Sequence, residues 1–170
     1  MFSAAPCAVR GLFWYSNIVK ILFVCWRNVS RSQMAAAYYN HVTGTQDADS
    51  AGTQVEVNGE TLAERRNRVG GTVAIDLAKR EGWDISNNQE TQLTEDMPDK
   101  YDRVICMADP TLTPGWLRNH QKYVYWNIPD PGATSLEALD TALGVIQQKI
   151  DELTSRPARS QGRQGFRIAT

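Results

Sequence analysis

The stretch that decides the fold runs from Ile21 to Ser32 and reads ILFVCWRNVSRS. Its first four residues, Ile21–Val24, are apolar and favour β-structure, which is typical of a strand buried on both faces of a parallel sheet. The residues from Ser32 to Asn40 include one methionine and three consecutive alanines, and they predict a helix. A cysteine, Cys25, therefore stands where a strand meets a loop, and five residues separate it from Arg31.

A loop that joins a buried strand directly to a helix is suited to binding an anion. Its backbone N–H groups point inward, and the helix N-terminus adds partial positive charge. Arg31 can offer a planar fork to a tetrahedral oxyanion, and Ser32 can donate its hydroxyl to the sulfur of Cys25. Asn28 tolerates left-handed backbone geometry and can brace the loop through its amide. The positive electrostatic potential of the N–H groups, the helix N-terminus and Arg31 favours a thiolate, so we expect Cys25 to be a nucleophile.

The rest of the chain alternates between strand-like and helix-like patterns. Further strands are predicted within Asp47–Gly52, Arg103–Met107 and Tyr123–Ile128, and further helices from Val73 to near Gly82, over Thr111–Asn119 and over Thr134–Leu153. The segment Gln54–Gly71 is polar, and we expect Arg65, Arg66 and Arg68 to lie on a solvated face rather than in a lid over the site. Alternation of this kind predicts a single three-layer α/β domain, a short parallel sheet flanked by helices with the anion-binding loop after strand 1.

Composition narrows the possible functions. The chain has 170 residues, of which 42% are hydrophobic and 22% are charged, with a net charge of -1. We therefore expect neither a nucleic-acid nor a membrane partner, because general basicity and an apolar run of about 18 residues are both missing. Three cysteines at unrelated spacings exclude a disulfide framework and a four-cysteine zinc site, which favours a cytoplasmic location. We divide the chain into an extension (1–18), a domain (19–154) and a disordered basic tail (155–170).

The stretch Cys25–Ser32, with the strand before it and Gln33-Met34-Ala35 after it, resembles the low-molecular-weight protein tyrosine phosphatase superfamily. That superfamily includes arsenate reductases of the same fold. The resemblance extends from about Val19 to Leu153, and its other elements are Ser50–Thr53, Gln92–Thr94, Tyr101–Met107 and Pro129-Asp130-Pro131.

The resemblance implies a set of roles. Cys25 would be the nucleophile, Arg31 would bind the substrate oxygens, and Asp130 would be the general acid and then the base that activates water. The expected substrate-binding residues are the rest of the loop and the serine that follows Arg31, namely Trp26, Arg27, Asn28, Val29, Ser30 and Ser32. No cofactor and no metal is expected, because Arg31 and the loop already neutralise the charge.

This sequence departs from the family pattern in the loop and beside the acid. Arg27 stands where many family members have Gly, and it either adds charge at the mouth or points to solvent. Ser30 replaces a second cysteine, so a disulfide within the loop is excluded. Gly132 and Ala133 stand where the phosphatases often carry two aromatic residues, so one aromatic wall is missing. Trp26 could supply that wall or pack on a neighbouring loop.

Three functions remain open. The first is a phosphomonoester hydrolase acting on phosphotyrosine, with a phosphorylated protein or small phosphomonoester as partner. The second is a single-cysteine arsenate reductase that uses a small-molecule thiol, because arsenate mimics phosphate. The third is a catalytically inactive anion-binding module.

A three-cysteine relay is disfavoured because Ser86–Met97 contains no cysteine and Cys106 is expected in the core. His41 and His120 have no partner at metal-ligand spacing.

Overall fold

The computed structural model describes residues 19–132 and 135–155, and its centre is a four-stranded parallel sheet. The strands are β1 (Ile21–Cys25), β2 (Ala48–Gly52), β3 (Arg103–Cys106) and β4 (Tyr123–Tyr125), in the order β2-β1-β3-β4. All three neighbouring pairs run parallel. The predicted α/β class and parallel sheet are confirmed. The expectations for 1–18 and 156–170 lie outside the described residues, and Ser155 belongs to the last helix rather than to a tail.

Helices cover the sheet and extend beyond its ends. They are α1 (Arg31–Thr43), α2 (Leu62–Val69), α3 (Val73–Arg80), α4 (Gly115–Arg118) and α5 (Leu136–Ser155). Two 3-10 turns, Met97–Lys100 and Pro110–Leu112, complete the regular structure of the described residues. None of the helices in this part of the chain is long and apolar enough to cross a membrane.

Three sequence predictions need correction. The segment Gln54–Gly71 contains α2, which begins with a capping box between Thr61 and Glu64 and has no apolar period to reveal it. The single helix predicted over Thr111–Asn119 is a 3-10 turn followed by the short α4. The strand predicted to reach Ile128 ends at Tyr125, because its partner β3 ends at Cys106 and offers no further ladder positions.

The two faces of the sheet build separate parts of the core. Ile21, Phe23 and Ile105 pack with residues of α1 and α5. Leu22, Val24 and Cys106 point to the opposite face, where Leu117 of α4 joins them. Successive side chains of a strand alternate between faces, so this division follows directly from the apolar runs in β1 and β3. The arrangement leaves the carboxyl ends of the strands open, and Cys25 lies at that edge.

Candidate active site

A cavity of about 360 Å³ opens at the carboxyl end of β1. It is lined by Cys25, Trp26, Arg27, Val29, Ser30, Arg31, Glu56, Arg65, Asp130 and Gly132. Seven of these are residues that the sequence nominated for the site, and the other three, Glu56, Arg65 and Gly132, are additions. Asn28 and Ser32 do not line the cavity, since both are fully buried behind it. Parallel sheets bind ligands at this edge, so the position is the expected one.

Asn28 holds the loop in shape. Its φ of 59° makes it the one described non-glycine residue with left-handed backbone geometry. The backbone N–H of Thr91 donates to Asn28 Oδ1 over 2.7 Å, which fixes the orientation of the amide. Asn28 Nδ2 then donates to the hydroxyls of Ser32 and Ser50, each over 2.9 Å. The bracing amide predicted from sequence is therefore present, and it ties the loop to α1, β2 and the segment at Thr91.

Ser32 connects this brace to the cysteine. Its Oγ lies 3.0 Å from Cys25 Sγ. Because the same oxygen accepts the hydrogen bond from Asn28, its own proton is free to point at the sulfur. The geometry therefore lets Ser32 donate to a thiolate at Cys25.

The loop backbone also packs tightly against the end of β2. Gly52 lies opposite Cys25 in the sheet register. A Cβ placed on Gly52 would lie 2.9 Å from the carbonyl carbon of Arg27 and 2.9 Å from the nitrogen of Asn28. The absence of a side chain at this position is therefore what lets the two backbones approach.

Several hydrogen-bond donors of the loop and of Arg31 have no acceptor among the described residues. Within the described residues, the backbone N–H groups of residues 27–30 donate no hydrogen bond. Arg31 Nε is buried and likewise has no partner in that part of the chain. Buried donors are normally satisfied, so the buried Arg31 Nε points to an acceptor from outside the protein. The N-terminus of α1, which begins at Arg31, adds partial positive charge to the same place.

Arg31 is fixed by the sheet edge and faces Asp130. Its Nη1 donates to the carbonyl oxygens of Met107 and Ile128 over 2.7 and 2.8 Å. Its Nη2 pairs with Asp130 Oδ2 at 2.5 Å, and the other carboxylate oxygen accepts the N–H of Gly132. The Asp130 side chain remains 49% exposed. Asp130 therefore lies beside the loop, as the position of its own loop after β4 led us to expect.

Trp26 and Arg27 form one wall of the cavity as a stacked pair. The guanidinium carbon of Arg27 lies 4.1 Å from the ring centroid of Trp26, a cation–π contact. Trp26 Nε1 donates to Gln54 Oε1 over 2.9 Å, so the ring both lines the cavity and packs on the neighbouring loop. Arg27 lies at the mouth, where its Nη1 donates to Glu56 over 3.0 Å.

Of the three arginines expected on a solvated face, Arg65 is buried, whereas Arg66 and Arg68 have side chains that are 34% and 40% exposed. The Arg65 side chain is only 10% exposed, and it reaches Glu56 Oε2 at 2.6 Å and the buried Glu90 at 3.4 Å. Hydrogen bonding from Arg65 is the main cause that holds the pKa of Glu56 below its ordinary value. Burial raises the pKa of Glu90, whose Oε2 has no partner among the described residues. The partners of Arg65 lie up to 25 residues away in the sequence, so no local pattern predicts its burial. The only local signal in this segment is the capping box, which marks the start of α2.

The second described cysteine is separated from the site. Cys106 is fully buried in the cluster on the face of the sheet opposite to α1 and α5. Burial also raises the pKa of its thiol, which disfavours the reactive thiolate. The prediction of a core position for Cys106 is confirmed.

Comparison with known proteins places this geometry in a family. Residues 20–162 match the family described as low molecular weight phosphotyrosine protein phosphatase. A glutaredoxin arsenate reductase of Synechocystis sp. is 29% identical over 140 residues, which are 81% of this chain and 97% of the relative.

Solved structures give the same picture. The tyrosine phosphatase amsI of Erwinia amylovora is 22% identical with a TM-score of 0.66, and the match covers 86% of this chain and 100% of that one. An arsenate reductase in the phosphate binding state is 25% identical with a TM-score of 0.61, over 81% of this chain and 97% of the other. Phosphatases and arsenate reductases are thus both among the proteins that this chain is similar to.

Proposed function

Because the chain belongs to the low-molecular-weight phosphotyrosine protein phosphatase family, we propose that it hydrolyses phosphomonoesters, phosphotyrosine in particular, through a cysteinyl-phosphate. One observation carries the proposal. The unpartnered donors of the loop and Arg31 surround the cavity that Cys25 lines, and they match the needs of a tetrahedral dianion.

The first step is attack of the Cys25 thiolate on phosphorus. Three non-bridging oxygens would take up the free N–H groups of residues 27–30 and Arg31 Nε. Arg31 is suited to this role because Nη1 is already held by two backbone carbonyls, so little side-chain freedom is lost on binding. Ser32 stabilises the thiolate before attack and again when it leaves.

Asp130 supplies the proton transfers. Its Oδ2 is paired with Arg31 Nη2, and a bound phosphoryl group would compete for that donor. Once released from Arg31, the carboxylate takes up a proton from solvent. It gives this proton to the leaving oxygen as the bond from Cys25 sulfur to phosphorus forms and the bond to the leaving oxygen breaks. In the second step the same carboxylate removes a proton from water, which attacks phosphorus and frees Cys25. Each half-reaction balances without a metal.

Arsenate reduction is the second candidate, and the Synechocystis relative favours it. The loop would bind arsenate as it binds phosphate. Cys106 is buried on the other face of the sheet and cannot serve as a resolving thiol for Cys25. No further cysteine remains among the described residues, so the two electrons would come from Cys25 and an external thiol, which form a mixed disulfide that a second external thiol then reduces.

One pair of assays separates these candidates. We expect the wild type to hydrolyse an aryl phosphate, vanadate to inhibit it, and Cys25→Ser to abolish turnover. Asp130→Asn should remove the limb of the pH profile that the acid causes, most clearly with poor leaving groups. Thiol-dependent loss of arsenate without phosphatase turnover would replace the proposal with the second candidate. Tight phosphate binding with neither reaction would indicate an inactive anion-binding module.

A further inference from the structure

Glu56 bridges two arginines at the mouth of the cavity. Its Oε1 accepts from Arg27 Nη1 at 3.0 Å, and its Oε2 accepts from Arg65 Nη1 at 2.6 Å. Arg68 approaches the same Oε2 at 3.4 Å. Glu56, Arg27 and Arg65 all line the cavity that contains Cys25. The space between the two guanidinium groups therefore already holds a carboxylate.

The two arginines are anchored independently of Glu56. Arg27 is stacked on Trp26, and that ring is itself held by Gln54. Arg65 also pairs with Glu90, a fully buried carboxyl whose position does not depend on the exposed Glu56. Removal of Glu56 from its place would thus leave both cationic groups close to their present positions.

Glu56 is the displaceable member of the group. Its side chain is 35% exposed, so it can turn into solvent, where water replaces the lost hydrogen bonds. The buried Glu90 has no such freedom. An anion arriving from outside would meet two preorganised donors and would compete only with a solvent-exposed carboxylate.

We propose that Arg27 and Arg65 form a second anion subsite, which binds a carboxylate or phosphoryl group carried by the leaving group of the substrate. Glu56 occupies this subsite in the free protein and is displaced when such a substrate binds. The inference rests on the proposed function, because it takes the phosphoryl group to lie at Cys25. The preferred substrate is then a phosphomonoester with a second negative charge near the first.

Binding of non-hydrolysable ligands tests the subsite without requiring turnover. Calorimetry would compare 4-carboxybenzylphosphonate with its neutral, nearly isosteric partner, 4-carbamoylbenzylphosphonate. We expect the wild type to bind the carboxylate about tenfold more tightly, the size of one charge-assisted contact, and this preference should shrink at high salt. Arg65→Gln should reduce the preference to near unity, and Glu56→Gln should increase it.

Matched variants keep the test specific. Arg66→Gln removes a charge from the same helix, but Arg66 pairs with Asp76 and does not line the cavity, so it should keep the wild-type preference. Arg27→Gln is the alternative if Arg65→Gln does not fold, since Arg27 is partly exposed and its loss should also lower the preference.

Equal binding of the two phosphonates by the wild type would overturn the subsite, and so would a preference that survives both arginine variants. Failure of both phosphonates to bind would instead count against the proposed function. Peptides with Glu or Gln beside phosphotyrosine identify the source of the second anion. Tighter binding of the Glu peptide to Cys25→Ser supports a protein substrate, whereas a preference confined to the small ligands supports a small phosphomonoester.

Discussion

Gly52→Ala should damage the anion-binding loop without replacing any residue that contacts substrate. The new methyl group would lie 2.9 Å from backbone atoms of Arg27 and Asn28 and 2.8 Å from a methyl carbon of Val55. The valine side chain can rotate away, but the loop backbone is held by the hydrogen bonds of Asn28. The strain must therefore be relieved largely by displacement of the loop itself.

The structure sets the scale of the effect. An ordinary contact needs at least 3.4 Å, so the loop must move by about 0.5 Å, half of the 1 Å misplacement that can cost about a hundredfold in rate. We expect kcat/KM for an aryl phosphate to fall by about 10- to 100-fold. Overpacking of this kind should also lower the free energy of unfolding by about 1–3 kcal/mol.

Steady-state kinetics and denaturant unfolding would measure the two effects separately. Gly144→Ala is the matched control, because Gly144 lies within α5, where a Cβ would meet no atom within 4 Å. That control should keep full activity and gain about 0.5–1 kcal/mol of stability. Wild-type kcat/KM in Gly52→Ala would refute the idea that the close approach of β2 sets the shape of the loop.

Three other outcomes are expected. Trp26→Ala should raise KM for aryl phosphates much more than for small alkyl phosphates, because it removes the aromatic wall; equal changes would rule that wall out. Among the described cysteines, iodoacetamide should modify Cys25 but not Cys106, and phosphate should protect Cys25. Mass spectrometry of the peptides would detect the modification, and a modified Cys106 or an unprotected Cys25 would contradict the prediction. In the folded protein, burial raises the pKa of the Glu90 carboxyl, so the wild type loses stability as the pH rises from about 4.5 through that raised pKa. In that window the free energy of unfolding of Glu90→Gln, relative to the wild type, should increase by up to about 1.4 kcal/mol per pH unit. Urea titrations at several pH values would measure this difference, and a difference that does not change with pH would contradict the burial argument.

Local patterns were sufficient for the centre of the molecule. The apolar run of β1 and the cysteine after it follow from residues that are neighbours in the chain, and so does the left-handed Asn28. Asp130 was placed at the correct edge because parallel strands end at one side of a sheet. These inferences needed only short-range spacing and one rule of topology.

The wall of the cavity could not be predicted in the same way. Arg65 is buried because it meets Glu56 and Glu90, which come from separate segments of the chain. Single-sequence reasoning treats arginine as solvent-exposed, since it cannot see a distant buried partner. The helix that carries Arg65 buries only Leu62 and Arg65 itself, so no apolar period marked it.

The position of Arg31 limits which inactive variants are useful for identifying cellular partners. Its Nη1 satisfies the carbonyl oxygens of Met107 and Ile128, so truncation of the side chain would leave two buried acceptors unpaired as well as abolishing anion binding. A protein weakened in that way would be cleared by quality control, and its absence from a pull-down would say little about recognition. Cys25→Ser keeps those bonds and is the better substrate trap.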